Sequence, residues 1–133
     1  KLDHNISERE KNFAEMTAFF KQWEKWFILP KQLPNSRTGW LAFALTIRDD
    51  APFKRPEMQI FLEKRNIQTR TVFTGNILRQ PGFKNVESKK SSDGYIESDK
   101  VMRGGMLVAC HHGLTRPMID HVKEQVTNFL SQY

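Results

Sequence analysis

The sequence predicts an α+β domain in two layers, a small sheet with helices on one side. Two amphipathic segments, one near each end, repeat apolar residues at spacings of three and four. Between them lie three short runs that are β-branched or continuously apolar, each the length of a strand. Clusters of Gly, Pro, Asn and Ser separate these runs, and no internal repeat is present.

The first helix is expected behind Ser7, where Ser7 and Glu10 have the spacing of a capping box. Phe13, Met16, Phe20, Trp23 and Phe27 form its stripe, widened by Phe19 and Trp26, and the helix should end before Pro30. So wide an aromatic face is expected to pack on the domain's own core, the alternative being that it covers a neighbouring domain. Residues 31–39 read as a loop. Residues 40–47, WLAFALTI, are apolar at both parities and predict a strand buried on both faces. Pro56 suits the first turn of a second helix, with Met58, Phe61 and Leu62 facing inward and Asn66 as its stop. Residues 67–73 predict a second strand, with odd positions toward the core and Gln68 and Arg70 outward. Residues 85–98 read as a mobile loop and 99–103 as a short helix ended by Gly104-Gly105. Residues 106–110 predict a third strand. Thr115 should cap a last helix whose stripe is Ile119, Val122, Val126, Phe129, Leu130 and Tyr133.

Composition narrows the function classes. The 133 residues fit one domain, and 11% aromatic content excludes disorder. Cys110 is the only cysteine, which excludes a disulfide scaffold and suggests a reducing, cytoplasmic compartment. No apolar run approaches the ~18 residues of a membrane span, and residues 1–11 are too polar for a signal peptide. A chain that opens on Lys1 is expected to be a processed chain or a piece of a longer one. The formal charge of +6 favours anionic partners or a solvated basic surface.

Cys110-His111-His112 lacks metal-ligand spacing and reads as a strand end running into a turn, so no metal site is expected. No nucleophile–base pair or glycine-rich phosphate loop is legible. The dense polar stretch is 69–81. There Arg70, Asn76, Arg79 and Gln80 gather donors around a turn, and arginine offers a planar fork to phosphate or carboxylate. Asn76 and Arg79 are expected to point away from this domain.

That stretch carries a resemblance. Asn66-Ile67-Gln68-Thr69-Arg70 and Phe73-Thr74-Gly75-Asn76-Ile77-Leu78-Arg79-Gln80-Pro81 resemble the pattern IxTRxxFxGNLLRQP, departing only at Ile77. The pattern belongs to the C-terminal segment of the DegT-type, vitamin-B6-dependent sugar aminotransferases, and most closely to their NDP-4-keto-6-deoxyhexose 3-dehydrases of lipopolysaccharide biosynthesis. Arg9-Glu10-Lys11-Asn12-Phe13 and Arg48-Asp49-Asp50-Ala51-Pro52-Phe53 agree with it. So does His112-Gly113-Leu114-Thr115, with His112 where Pro is usual. The resemblance implies the small C-terminal domain of a fold-type-I enzyme, mainly antiparallel in its sheet. Residues 1–29 would lead in from a missing large domain, and residues 40–133 would form the α+β core.

For the complete enzyme the resemblance implies pyridoxamine or pyridoxal phosphate as cofactor, and an upstream His as base for loss of the 3-hydroxyl of a nucleotide-linked 4-keto-6-deoxyhexose. It further implies a homodimer and a reductase partner. Some relatives bind an iron–sulfur cluster through upstream cysteines, which Cys110 does not match. Within this chain it implies no catalytic residue. Arg70, Phe73, Asn76 and Arg79 would border the substrate, with Phe73 as a wall and Asn76 and Arg79 as polar or phosphate contacts. A sugar aminotransferase of the same family, a basic RNA- or nucleotide-binding module and a dimerisation domain are the competing readings. On the favoured reading neither nucleic acid nor membrane is a partner.

Overall fold

A computed structural model describes residues 1–92 and 94–133. Four strands form one antiparallel sheet: β1 (Phe27–Ile28), β2 (Ala42–Ile47), β3 (Thr69–Thr71) and β4 (Gly105–Ala109), in the order β1-β2-β4-β3. The helices are α1 (Leu2–Lys21), α2 (Arg55–Glu63), α3 (Ile96–Gly104) and α4 (Arg116–Leu130), with two single 3-10 turns at Ile77–Arg79 and Pro81–Phe83.

Register explains the two layers. Phe43 pairs with Val108 and Leu45 with Met106, so all four side chains share one face and are buried there. They form one core with Phe13, Met16 and Phe20 of α1, Met58 and Leu62 of α2, and Val126, Phe129 and Leu130 of α4. The expected packing of the aromatic helix on its own domain is therefore what occurs. The opposite face of β2 carries Ala42, Ala44 and Thr46, all partly exposed. The expectation of burial on both faces is corrected. The run is apolar at both parities, but only one parity carries bulk.

The first helix differs at both ends. It starts at Leu2, so Ser7 lies inside it, and Glu10 is paired instead with Arg37 at 2.6 and 3.0 Å. It ends at Lys21. Phe27 then pairs opposite Ile47 as an edge strand, and Arg48 N–H donates to the Trp26 carbonyl at 2.9 Å. Strand geometry buries Phe27 completely and satisfies backbone groups that Pro30 would have left without a helix to continue into.

The segment expected as loop up to Ser98 becomes helical at Ile96, with Glu97 and Asp99 in the first turn of α3, where its dipole favours negative charge. At the other end, Nη1 of Arg55 donates to the carbonyls of Met102 (2.8 Å) and Gly105 (3.1 Å). A guanidinium thus supplies partners and opposite charge to the C-terminus of α3. Asn66, the expected stop of α2, takes φ 61°. Thr115 occupies the N-cap position of α4 but makes no side-chain cap hydrogen bond among the described residues, so the expected capping is met in position only. Among the described residues no helix is long and apolar enough to cross a membrane.

Candidate functional site

β3 is short, and the turn that follows it is unusual. The strand stops at Thr71, Phe73 takes φ 44° and Gly75 takes φ 65°. A side chain at Gly75 would meet the Met102 Cβ at 2.4 Å, so both the left-handed backbone and the close approach to α3 require glycine. Phe73 is not glycine, and its ring is 89% exposed. A non-glycine residue held at positive φ with its aromatic side chain in solvent is a pointer to function. The expected inward parity holds at Ile67, weakens at Thr69 and fails at Thr71 and Phe73, because the strand is only three residues long and has ended before Phe73.

Asn76 and Arg79 meet on one carboxylate. The Asn76 side-chain oxygen accepts from Leu78 N–H at 3.1 Å, which caps the 3-10 turn, and its amide donates to Asp99 Oδ1 at 2.7 Å. Arg79 donates from Nε to Oδ1 at 3.2 Å and from Nη2 to Oδ2 at 2.7 Å. The Arg79 fork, then the Asn76 amide, hold the Asp99 carboxyl down at about 2. Asn76 is only 5% exposed. The expectation that it points off the domain is corrected, because its amide has partners inside. Arg79 keeps 60% of its side chain exposed although it is paired.

Among the described residues no single hollow gathers all four predicted ones. Arg70 and Phe73 line an open groove of about 710 Å³ between α2 and β3, with Gln59, Ile60 and Lys64 on its other wall. Asn76 and Arg79 line a hollow of about 270 Å³ with Leu78 and Tyr95. Phe73 also borders a third hollow, of about 350 Å³, shared with Arg55, Gly75 and Gln80. Sequence reasoning missed Asp99 and Arg55. Only acidic enrichment in a helix's first turn could have flagged Asp99, and nothing adjacent in sequence ties it to residue 79.

Cys110 is buried beside the Arg9 carbonyl, and burial pushes its thiol up to about 11, far from a reactive thiolate. Among the described residues no three His, Cys, Asp or Glu side chains gather as a metal site. Pyridoxal phosphate needs converging N–H donors for its phosphate and a sheltered nitrogen base. The groove's cations, Lys64 and Arg70, stand on exposed walls, and its Thr69 hydroxyl is already paired with Glu63 and Gln59. This donor set does not fit the cofactor, and no step through it is assigned to these residues.

Residues 1–127 match the family described as the DegT/DnrJ/EryC1/StrS aminotransferase family, and the chain belongs to it. Among individual relatives, it is 40% identical over 105 residues to a dTDP-4-dehydro-2,6-dideoxy-D-glucose 3-dehydratase of Saccharopolyspora spinosa, covering 79% of this chain and 22% of that protein. It is 26% identical over 129 residues to the lipopolysaccharide biosynthesis protein RfbH of Salmonella typhimurium, covering 97% of this chain and 29% of that one. In fold it is similar to the E. coli GDP-4-keto-6-deoxy-D-mannose-3-dehydratase with bound hydrated PLP, with a TM-score of 0.81 at 22% identity over 94% of this chain and 31% of that chain. It is likewise similar to S. venezuelae DesV in complex with a ketimine intermediate, with a TM-score of 0.80 at 20% identity over 96% of this chain and 32% of that chain. The chain thus spans less than a third of each of these proteins, and its small antiparallel α+β fold is that of fold-type-I neighbours.

Proposed function

We propose that this chain is the C-terminal small domain of a nucleotide-sugar 3-dehydrase that uses pyridoxamine or pyridoxal phosphate. Its part is to supply one wall of the pocket for a nucleotide-linked 4-keto-6-deoxyhexose. The carrying observation is the turn at 72–80, which presents an exposed aromatic ring and a half-free guanidinium on the surface formed by the sequence stretch most typical of the dehydrases. The similarity to a 3-dehydratase over 105 residues favours C3 deoxygenation over transamination.

The cofactor, held by the remainder of the enzyme, supplies the electron sink. Phe73 gives a flat apolar wall for a sugar or base, Arg79 offers N–H to a phosphate or hydroxyl oxygen, and Arg70 adds positive charge to the groove. The base that moves the proton lies upstream, and this chain excludes water and orients substrate. The complete enzyme is a cytoplasmic homodimer that passes its product to a reductase. An upstream iron–sulfur cluster would be held without Cys110.

The test is product analysis of the complete enzyme with the cofactor and dTDP- or GDP-4-keto-6-deoxyhexose. Loss of the 3-hydroxyl is expected, and Arg79→Ala should raise KM about tenfold or more, as for loss of a charge-assisted contact. A 4-amino sugar as the only product would replace this reading with the aminotransferase one.

A further inference from the structure

The turn at 72–80 is oriented from one helix. Gly75 packs on Met102, and Asn76 and Arg79 both bind Asp99, three residues earlier on α3. We propose that Asp99 is the positioning residue of this rim: its carboxylate fixes the Arg79 guanidinium so that Nη1 is the edge offered to an anionic or hydroxyl oxygen of the substrate. The inference rests on the reading of the rim as substrate-facing.

The geometry is that of a side-on fork. Nε and Nη2 of Arg79 are both used on Asp99, and Nη1 has no hydrogen-bond partner among the described residues. The pair is rooted and open at once: the Asp99 side chain is 19% exposed against 60% for Arg79. A long exposed arginine otherwise samples many rotamers, and ordering it at the moment of binding costs affinity. Here the ordering is done beforehand by a carboxylate whose own direction is fixed by a second donor, Asn76. Of the three donors that converge on this carboxylate, the Asn76 amide ties the turn to α3, and the Arg79 fork holds the half-exposed guanidinium in place beside the hollow.

The test is a double-mutant cycle in the complete enzyme with Asp99→Asn, Arg79→Ala and both. Asparagine keeps an oxygen for Asn76 and for Nε but puts an NH2 where Nη2 needs an acceptor, so the fork is lost with little change of shape. Asp99→Asn is expected to raise KM about three- to tenfold with kcat nearly unchanged, and to add nothing to the larger KM rise of Arg79→Ala. In the 133-residue chain, the Arg79 Nε–H resonance should be resolved, and in Asp99→Asn it should broaden and move toward its free position, because Nε alone is left to hold the guanidinium. A normal KM in Asp99→Asn overturns the inference, as does a KM effect that persists undiminished in the Arg79→Ala background. If Arg79→Ala itself leaves KM unchanged, the substrate-facing reading fails, and the positioning role falls with it whatever the resonance shows.

Discussion

Asn76 does two jobs with one amide. Its oxygen caps the 3-10 turn and its nitrogen anchors the turn to α3, all at 5% exposure. Asn76→Ala should therefore destabilise the chain by about 1–3 kcal/mol, the cost of stranding buried polar partners. Urea titration measures it, and an unchanged midpoint would mean that the amide is dispensable to the fold. The polar character of the 69–81 stretch was plain in the sequence. The inward turn of Asn76 was not, because its acceptor lies 23 residues further along the chain. A donor-rich turn looks the same in sequence whether its donors face solvent or a distant carboxylate. Phe73 is proposed as a wall of the substrate pocket from resemblance and from its exposure. Its left-handed backbone, which puts the ring into solvent, follows from how the strand ends and not from residue type.

At the scale of elements, α3 is the template. It contributes Met102 to the seat of Gly75 and Asp99 to the fork, and Arg55 closes its C-terminus. Gly75→Ala should be poorly tolerated. The left-handed backbone alone costs about 1–2 kcal/mol for a residue with a Cβ, and the contact with Met102 adds to that. Thermal denaturation should show the loss, and Met102→Ala in the same chain should not relieve it, because the clashing Cα and Cβ of residue 102 are still present in alanine; full recovery in the double variant would contradict this reading. The elements themselves were mostly readable. α2 and α4 lie where Pro56 and Thr115-Pro117 predicted them, because local stop and start signals decide those boundaries. Beside the shortened β3 and the earlier start of α3, the change of element type is at α1 and β1, where the periodicity of 13, 16, 20, 23 and 27 runs on smoothly. Phe27 fits a helical stripe and a strand's inner face equally well. Only pairing with Ile47, a tertiary fact, chooses between them.

For the molecule as a whole, the groove's donor set predicts that the isolated chain does not bind pyridoxal or pyridoxamine phosphate. An absorbance titration checks this, and saturable binding in the micromolar range would refute it. Acid sensitivity also belongs to this scale. Asp99, Asp49, Glu10 and Glu63 all lie below their ordinary values. Arg79, Arg103 and Arg37 depress the first three through hydrogen bonds, and Thr69 depresses the last. A depressed carboxylate contributes stability that is complete above its unfolded value near 4, and that is lost as pH falls through its folded value, about 2 for Asp99. Melting temperature should be flat with respect to these groups from about pH 7 to 5 and fall between about 4 and 2. Circular dichroism melts across that range test the sign, and a melting temperature that rises on acidification would contradict it.

The strand order β1-β2-β4-β3 has a consequence for how the chain is made. Among the described residues β4, drawn from the last third of the sequence, is the strand that pairs with both β2 and β3. Until residues 105–109 have emerged from the ribosome, β2 and β3 each lack their main partner, and Phe43 and Leu45 lack the strand that seals them. Every stabilising ladder of the sheet except the two-residue β1–β2 pairing spans more than thirty residues, so loop closure precedes reward and folding should be late and cooperative. A nascent chain stalled before β4 would expose two unsatisfied strand edges over an aromatic helix, a state prone to aggregation.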